Sequence, residues 1–455
     1  MHPFVLRLTS AVSILLVTLA PTGALGAQAT TDAGARTPVA AARASAPRTA
    51  NSFSAERLAR VDRFLQQYVD SNLIGGAVAL VLRNGQVAYT KSVGWIDRES
   101  RRPMTPDAIF RIASQSKAIT STAILILVEE GRIALSDPVS RFIPAFAHTT
   151  VASSADSGRT VVAARRPITI QDLLTHTAGI SYGGERWVAD RYAAKGLGPA
   201  AGNGWYTADK SEPVCETMER LATLPFVAQP GESFVYGYNT DILGCVVERA
   251  SGIALDEFIR TRITAPLGMS DTYFFLPPAK ASRLVTLYMN DSTGRVARAP
   301  EGSRGQGHYV HGPRRSFSGG AGIVSSARDY VRFLQMILGR GEIDGVRILS
   351  PRSVDLMTSN QIPGIYSSSG RGFGLGFETV ERIGASGYYS VGSFGWGGAY
   401  GSTYMVDPAE RMVVVFMINQ MPNGSDVASK FPTLVYQALT DVAPRPGWST
   451  RASER

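Results

Sequence analysis

The chain has 455 residues, 44% hydrophobic and 18% charged, with a mean hydropathy near zero, a balance that fits a globular protein with a real core and excludes collagen-like, disulfide-scaffold and polytopic membrane classes. With 46 Gly and 25 Pro it is also too ordinary in composition for wholesale disorder. The formal net charge is +9, and because four arginines and one aspartate fall in the first 50 residues, +6 remains for residues 51–455, too thin a spread for a nucleic-acid footprint.

Residues 1–26 combine a weakly positive start at Arg7, an apolar stretch at 11–20, a breaker at Pro21 and a small-residue exit before Ala27, the pattern of a cleaved export signal. The apolar stretch is about half of the ~20 residues that a membrane-spanning helix needs. The expectation is therefore a periplasmic or secreted protein with no membrane span after signal removal. No Cys follows the leader to carry a lipid anchor. Residues 27–50 are Ala, Thr, Pro and Arg with almost no large apolar side chain, so they read as a disordered linker. The folded domain is expected over 51–442, with a tail at 443–455.

Ser54 followed by Leu58, Val61, Leu65 and Tyr68 predicts an N-capped amphipathic helix. Apolar runs at 76–82 and 86–93, joined through Asn84-Gly85, predict two antiparallel strands in a hairpin. From 114 to 315 helical patterns and long loops dominate, the clearest helices being 170–174, 240–250 and 256–263. Strands are predicted at 373–380, 398–406 and 412–418, the last two joined by a turn at Asp407-Pro408, and a closing helix at about 425–439. The fold class is α/β (α+β): an antiparallel sheet built from N- and C-terminal strands flanked by helices (51–113 and 316–442), with a mostly helical region inserted at 114–315. Cys215 and Cys245 can bridge in an oxidising compartment or stay as two buried thiols.

Three segments carry chemistry. Phe110-Arg111-Ile112-Ala113-Ser114-Gln115-Ser116-Lys117 opens a helix whose stretch at 123–128 is apolar on every face, which predicts a buried helix. Ser114 and Lys117 are three apart and share a face, and the helix N-terminus offers N–H groups and positive dipole to a developing oxyanion. Burial disfavours a charged amine, and an uncharged amine can take a serine proton. Of the six lysines, only Lys117 has a serine three residues before it, yet an ordinary helix start would give the same spacing. The second segment, 230–244, places Tyr236 and Tyr238 on a loop just before a helix. In the third, Gly395-Trp396-Gly397-Gly398-Ala399-Tyr400-Gly401, glycines let backbone approach a ligand closely at a strand edge.

In this order and at this spacing, these segments resemble the serine β-lactamase and penicillin-recognising superfamily, its class C-like branch, and most of all the family VIII carboxylesterases. The resemblance runs over nearly all of residues 54–442 and takes in the segments 168–179 and 318–327. It implies a β-lactamase/D,D-peptidase-like fold, with Ser114 as nucleophile and Lys117 as its proton acceptor. Tyr236 would be the tyrosine of the family's Tyr-x-Asn element, and the N–H groups of Ser114 and Ala399 the oxyanion hole. No cofactor or metal is implied.

Two departures stand out. Tyr238 occupies the family's asparagine position, with Asn239 one place late, which leaves Tyr238 as a second candidate for the catalytic tyrosine and otherwise as pocket wall. Where β-lactamases and D,D-peptidases carry Lys-Thr-Gly, or His for that Lys, this chain has Trp396-Gly397-Gly398. A cation there pairs with a substrate carboxylate, whereas an indole offers an apolar wall. The implied partner is a small-molecule carboxylic ester with a short acyl chain. A class C-like β-lactamase or D,D-peptidase is the alternative, and a non-catalytic cell-wall binding module the second. The chain carries no code for an oligomeric state.

Gly179-Ile180-Ser181-Tyr182-Gly183 matches the Gly-x-Ser-x-Gly elbow, which would need a strand before it, a helix after it, and partners such as Asp271 or Asp291 with His308 or His311. The flanking patterns, helix before and loop after, argue against it. His308-x-x-His311 lacks a nearby third zinc ligand. His176 is expected to satisfy a local backbone group. Trp187, Trp205 and Tyr206 lie in inserted loops, where packing explains them as well as pocket lining does.

Overall fold

Ser54 caps the first helix, α1 (Ala55–Asp70), its hydroxyl accepting from Arg57 N, and Leu58, Val61, Leu65 and Tyr68 are its buried stripe. The structure, a computed structural model, describes residues 52–157, 159–199 and 210–441. The leader, linker and tail, together with Trp205 and Tyr206, lie outside the described residues. Strands β1 (Gly76–Arg83) and β2 (Gln86–Asp97) follow as the expected hairpin, then a short β3 (Arg102–Pro103). From the far end of the chain come β4 (Arg371–Phe373), β5 (Glu378–Val380), β6 (Phe394–Gly397), β7 (Thr403–Asp407) and β8 (Met412–Ile418). The eight form one sheet in the order β4-β5-β6-β7-β8-β1-β2-β3. Both chain ends meet at its centre, where β1 and β8 pair antiparallel from Ala77↔Ile418 to Arg83↔Met412.

Both faces of that central pair are covered, which is why these strands read as unbroken apolar runs. Alternate residues point to opposite sides. Ala77, Ala79, Val81, Val414 and Phe416 face α1 and the closing helix α8 (Val427–Tyr436), while Val78, Leu82, Val413, Val415 and Met417 face the larger core. That larger core is organised around α2 (Ser116–Glu129), in which every residue from Ser116 to Leu127 is buried. Around it lie α3 (Ile170–Leu174), α4 (Val214–Leu221), α5 (Asn239–Ser251) and α6 (Leu255–Ile259). A disulfide joins Cys215 on α4 to Cys245 on α5, which settles the choice left open by the sequence.

Two predicted strands are corrected. The run 373–380 is a hairpin rather than one strand: β4 and β5 pair with each other. Gly376 at φ +103° and Gly374, where a Cβ would lie 2.1 Å from Met357 O, reverse the chain between them. The run 398–406 is a turn followed by β7: Gly398 N donates to Ser402 O (2.7 Å) and Gly401 N to Gly398 O (2.9 Å). The closing helix is shorter than 425–439 at both ends. A further helix, α7 (Ala327–Leu338), capped by the Ser326 hydroxyl, follows a short strand Val324–Ser326 that pairs with Ile109–Arg111 just ahead of Ser114.

Candidate active site

Ser114 sits in a 3-10 turn, Ala113–Gln115, that leads into α2. Ala113, a non-glycine residue, is held at φ +44°, a left-handed conformation that costs free energy and that the surroundings must enforce. They do so from both sides: Ile112 N donates to Ile323 O (3.1 Å), and the Ser116 hydroxyl accepts from Ile323 N (3.1 Å). Lys117 Nζ, one helical turn on, lies 3.3 Å from Ser114 Oγ and donates to Gly320 O at 2.7 Å. Lys117 is only 3% exposed and Ser114 9%, so the two groups meet away from bulk water.

The Tyr236 ring lies over the amine, 4.7 Å from Nζ to its centroid, and its hydroxyl accepts from Trp396 Nε1 at 3.0 Å. Tyr238 is turned elsewhere. It is 1% exposed, precedes α5 as its N-cap, and its hydroxyl accepts from Gly198 N at 3.1 Å. Gly237 between the two tyrosines lets the loop at 180–181 pack directly on the backbone, since a Cβ there would lie 2.3 Å from Ile180 O. Asn239, one place later than the family's asparagine, is fully buried. Its Nδ2 faces Ile180 O and Val235 O (both 3.2 Å) and His176 Nδ1 (2.9 Å), so it ties two loops together. His176 therefore meets a side-chain amide through its ring, not a backbone group as expected. Burial, and secondarily the charge of Lys117, hold its imidazole well below its ordinary range.

Two residues that sequence reasoning missed complete the surroundings of the amine. Tyr182 OH lies 3.1 Å from Lys117 Nζ; burial, then the neighbouring Tyr236, Asp241 and Tyr238, push its phenol well above the ordinary range. Asp241 is fully buried, accepts from the Ser318 hydroxyl and from Gly320 N at 3.3 Å, and thus fixes the N–H side of the residue whose carbonyl accepts the hydrogen bond from Lys117. Burial raises its carboxyl against the lowering influence of Ser318 and Lys117. The only sequence signal for Tyr182 was its place in the apparent serine elbow.

Trp396 is the last residue but one of β6, and Gly397 and Gly398 carry the chain past the nucleophile turn. A Cβ at Gly398 would lie 2.4 Å from Ile112 O, so only glycine lets this edge reach the residues before Ser114, and Ala399 next to it is exposed. Ser181, the rival serine, follows α3 rather than a strand. It is 1% exposed, and its hydroxyl donates to Glu185 and accepts from Gly183 N at 3.0 Å. That is a loop brace.

The Beta-lactamase family matches residues 61–438 of the chain. A Mycobacterium tuberculosis protein is 35% identical over 385 residues, covering 79% of this chain and 90% of that one. Esterase EstB of Burkholderia gladioli is 32% identical over 392 residues, covering 83% and 94%. Among solved structures, EstCE1, described as a hydrolase with promiscuous acyltransferase activity, is similar with a TM-score of 0.69 and 27% identity, over 85% of this chain and 98% of its own.

Proposed function

The chain belongs to the Beta-lactamase family and is a serine hydrolase, and we propose that it is an exported carboxylesterase acting on short-acyl esters through an acyl-enzyme on Ser114. The observation that carries this reading is the contact of Ser114 Oγ with Lys117 Nζ at 3.3 Å under the Tyr236 ring. Similarity to Esterase EstB over most of both chains supports the ester as substrate. The leader-like residues 1–26 support export.

In the first half-reaction Ser114 Oγ attacks the ester carbonyl as its proton passes to Lys117 Nζ, and the carbonyl oxygen becomes an oxyanion facing the N–H groups of Ser114 and Ala399. The C–O bond to the alcohol then breaks. The departing oxygen takes a proton from the Tyr236 hydroxyl, which is resupplied from Lys117. In the second half-reaction the same pair removes a proton from water as it attacks the acyl carbon, the bond to Ser114 Oγ breaks, and the proton returns to Ser114. The Trp396 indole N–H on the Tyr236 oxygen stabilises the phenolate that forms in passing.

Substrate charge follows from the same wall. Position 396 offers an indole, and the neighbouring Arg371 is paired with Glu378 at 3.0 Å, which favours neutral esters over substrates that need a cation for a carboxylate. The test is turnover of a short-acyl nitrophenyl ester beside a chromogenic cephalosporin. Ser114→Ala is expected to lose about 10³-fold or more in kcat/KM on the ester, while Ser181→Ala keeps it. Full ester activity in Ser114→Ala would sink the reading, and a cephalosporin turned over faster than the ester would replace it with β-lactam hydrolysis.

A further inference from the structure

Tyr236 is the inner end of a continuous run of rings. Phe234 lies nearly parallel to it, with centroids 6.4 Å apart and planes at 18°, and Tyr366 meets Phe234 edge-on at 4.7 Å. Phe373, 1% exposed, backs the run at 5.1 Å from Phe234 and 5.3 Å from Trp396. Phe234, Tyr236, Tyr366 and Trp396 are each partly exposed, so the run has an open side. Its polar tips are engaged within it: Tyr366 OH donates to Glu378, Glu378 pairs with Arg371, and Trp396 Nε1 donates to Tyr236. The Arg371 guanidinium also lies over the Tyr366 ring, 5.9 Å from its centroid, so what the run presents to a guest is ring surface bordered at Tyr366 by a cation already paired with Glu378.

Chemistry fixes which part of a substrate meets it. A Tyr236 that protonates the departing oxygen must stand beside that oxygen, so the group carried on it starts at the inner end of the run, within reach of the neighbouring Phe234 ring. We propose that Phe234 and Tyr366 form the alcohol subsite, and that it takes an aromatic, benzyl-type alcohol group of a neutral ester. This rests on the esterase reading above. Ring-on-ring contact adds to simple area burial, so the subsite discriminates against a saturated ring of the same size.

The experiment compares kcat/KM for benzyl acetate and cyclohexylmethyl acetate, whose alcohols match in bulk. The intact protein is expected to prefer the benzyl ester about 3- to 10-fold. That ratio should fall to about one in Phe234→Leu and Tyr366→Leu, which keep bulk and remove the ring, and persist in Tyr366→Phe. A ratio of one or below in the intact protein, or a ratio untouched by both leucine variants, overturns the proposal. If neither acetate is turned over while the nitrophenyl ester is, the proposal is overturned; if the nitrophenyl ester is not turned over in a Ser114-dependent way either, the esterase reading itself falls. The subsite is then judged by tryptophan-fluorescence titration with benzyl alcohol and cyclohexylmethanol: tighter benzyl binding that is lost in Tyr366→Leu upholds it, and equal affinities refute it.

Discussion

Two tyrosines with a single residue between them in the chain are given opposite surroundings by the loop that carries them. Tyr236 keeps its ring on the Lys117 amine and its oxygen on Trp396, while Tyr238 spends its hydroxyl on Gly198 N and its ring on Tyr182, edge-on at 4.9 Å. A phenol that relays a proton and a phenol that only holds a loop at Gly198 respond differently to loss of the oxygen. Tyr236→Phe is expected to lower kcat on a short-acyl nitrophenyl ester by about 10²- to 10⁴-fold, besides losing the one hydrogen bond from Trp396, worth about 1 kcal/mol. Tyr238→Phe removes one neutral hydrogen bond, worth about 1 kcal/mol, and should appear in urea unfolding while kcat stays within a few-fold. The reverse pattern would move the proton relay to Tyr238 and with it the register of the whole segment.

At the scale of elements, α3 is short but heavily secured, because the loop that follows it carries His176 and Tyr182 to the amine. Thr169 and Asp172 form a reciprocal capping box, and Arg166 binds the Asp172 carboxylate at 2.6 and 2.8 Å. Burial alone would raise that carboxyl; hydrogen bonds from Arg166 and Thr169 outweigh it and hold the group below its ordinary range. A depressed carboxyl stabilises the fold above its unfolded value near pH 4, and that contribution is lost as pH falls through the folded value. Arg166 is 43% exposed on its side chain, so solvent screens the pair. Asp172→Ala is expected to cost about 1–2 kcal/mol at pH 7 and less at pH 3, read as urea midpoints; an equal loss at both values would refute the ionic origin. The sequence revealed α3 and β8 to the residue, and α1 by its cap and buried stripe, because their apolar periods are set by a single buried face or by two. It did not reveal the break at 374–377 or the turn at 398–402, where composition stays strand-like and glycines that touch distant backbone decide the path. Ser114 and Lys117 were legible because one turn of helix joins them. Tyr182 was not, since its approach to Lys117 spans 65 residues and leaves no local pattern.

At the scale of the whole molecule, the sheet draws its central strands from opposite chain ends, so its integrity depends on pairings that no local segment supplies. The ends are fastened together on the face away from the nucleophile: Ser54 N donates to Ala438 O (2.8 Å) and Thr440 N to Ser52 O (2.8 Å), and α8 lays Val427, Phe431 and Val435 against α1 and the sheet. Phe431 is fully buried, with its ring 5.3 Å from that of Phe416 on β8. The active-site groups gather on the other side, around α2, whose residues belong to a separate cluster. Stability and catalysis should therefore separate by face. Truncation of a buried Phe removes its transfer free energy and leaves a cavity, so Phe431→Ala is expected to cost about 3–5 kcal/mol, measured as a lowered urea midpoint. The fraction that stays folded at 25 °C should hydrolyse the nitrophenyl ester with unchanged kcat. Ser114→Ala should show the opposite, an unchanged midpoint with activity lost. Loss of kcat in folded Phe431→Ala would mean that the sheet transmits strain from α8 to the nucleophile turn, through β8 to β6 and Gly398.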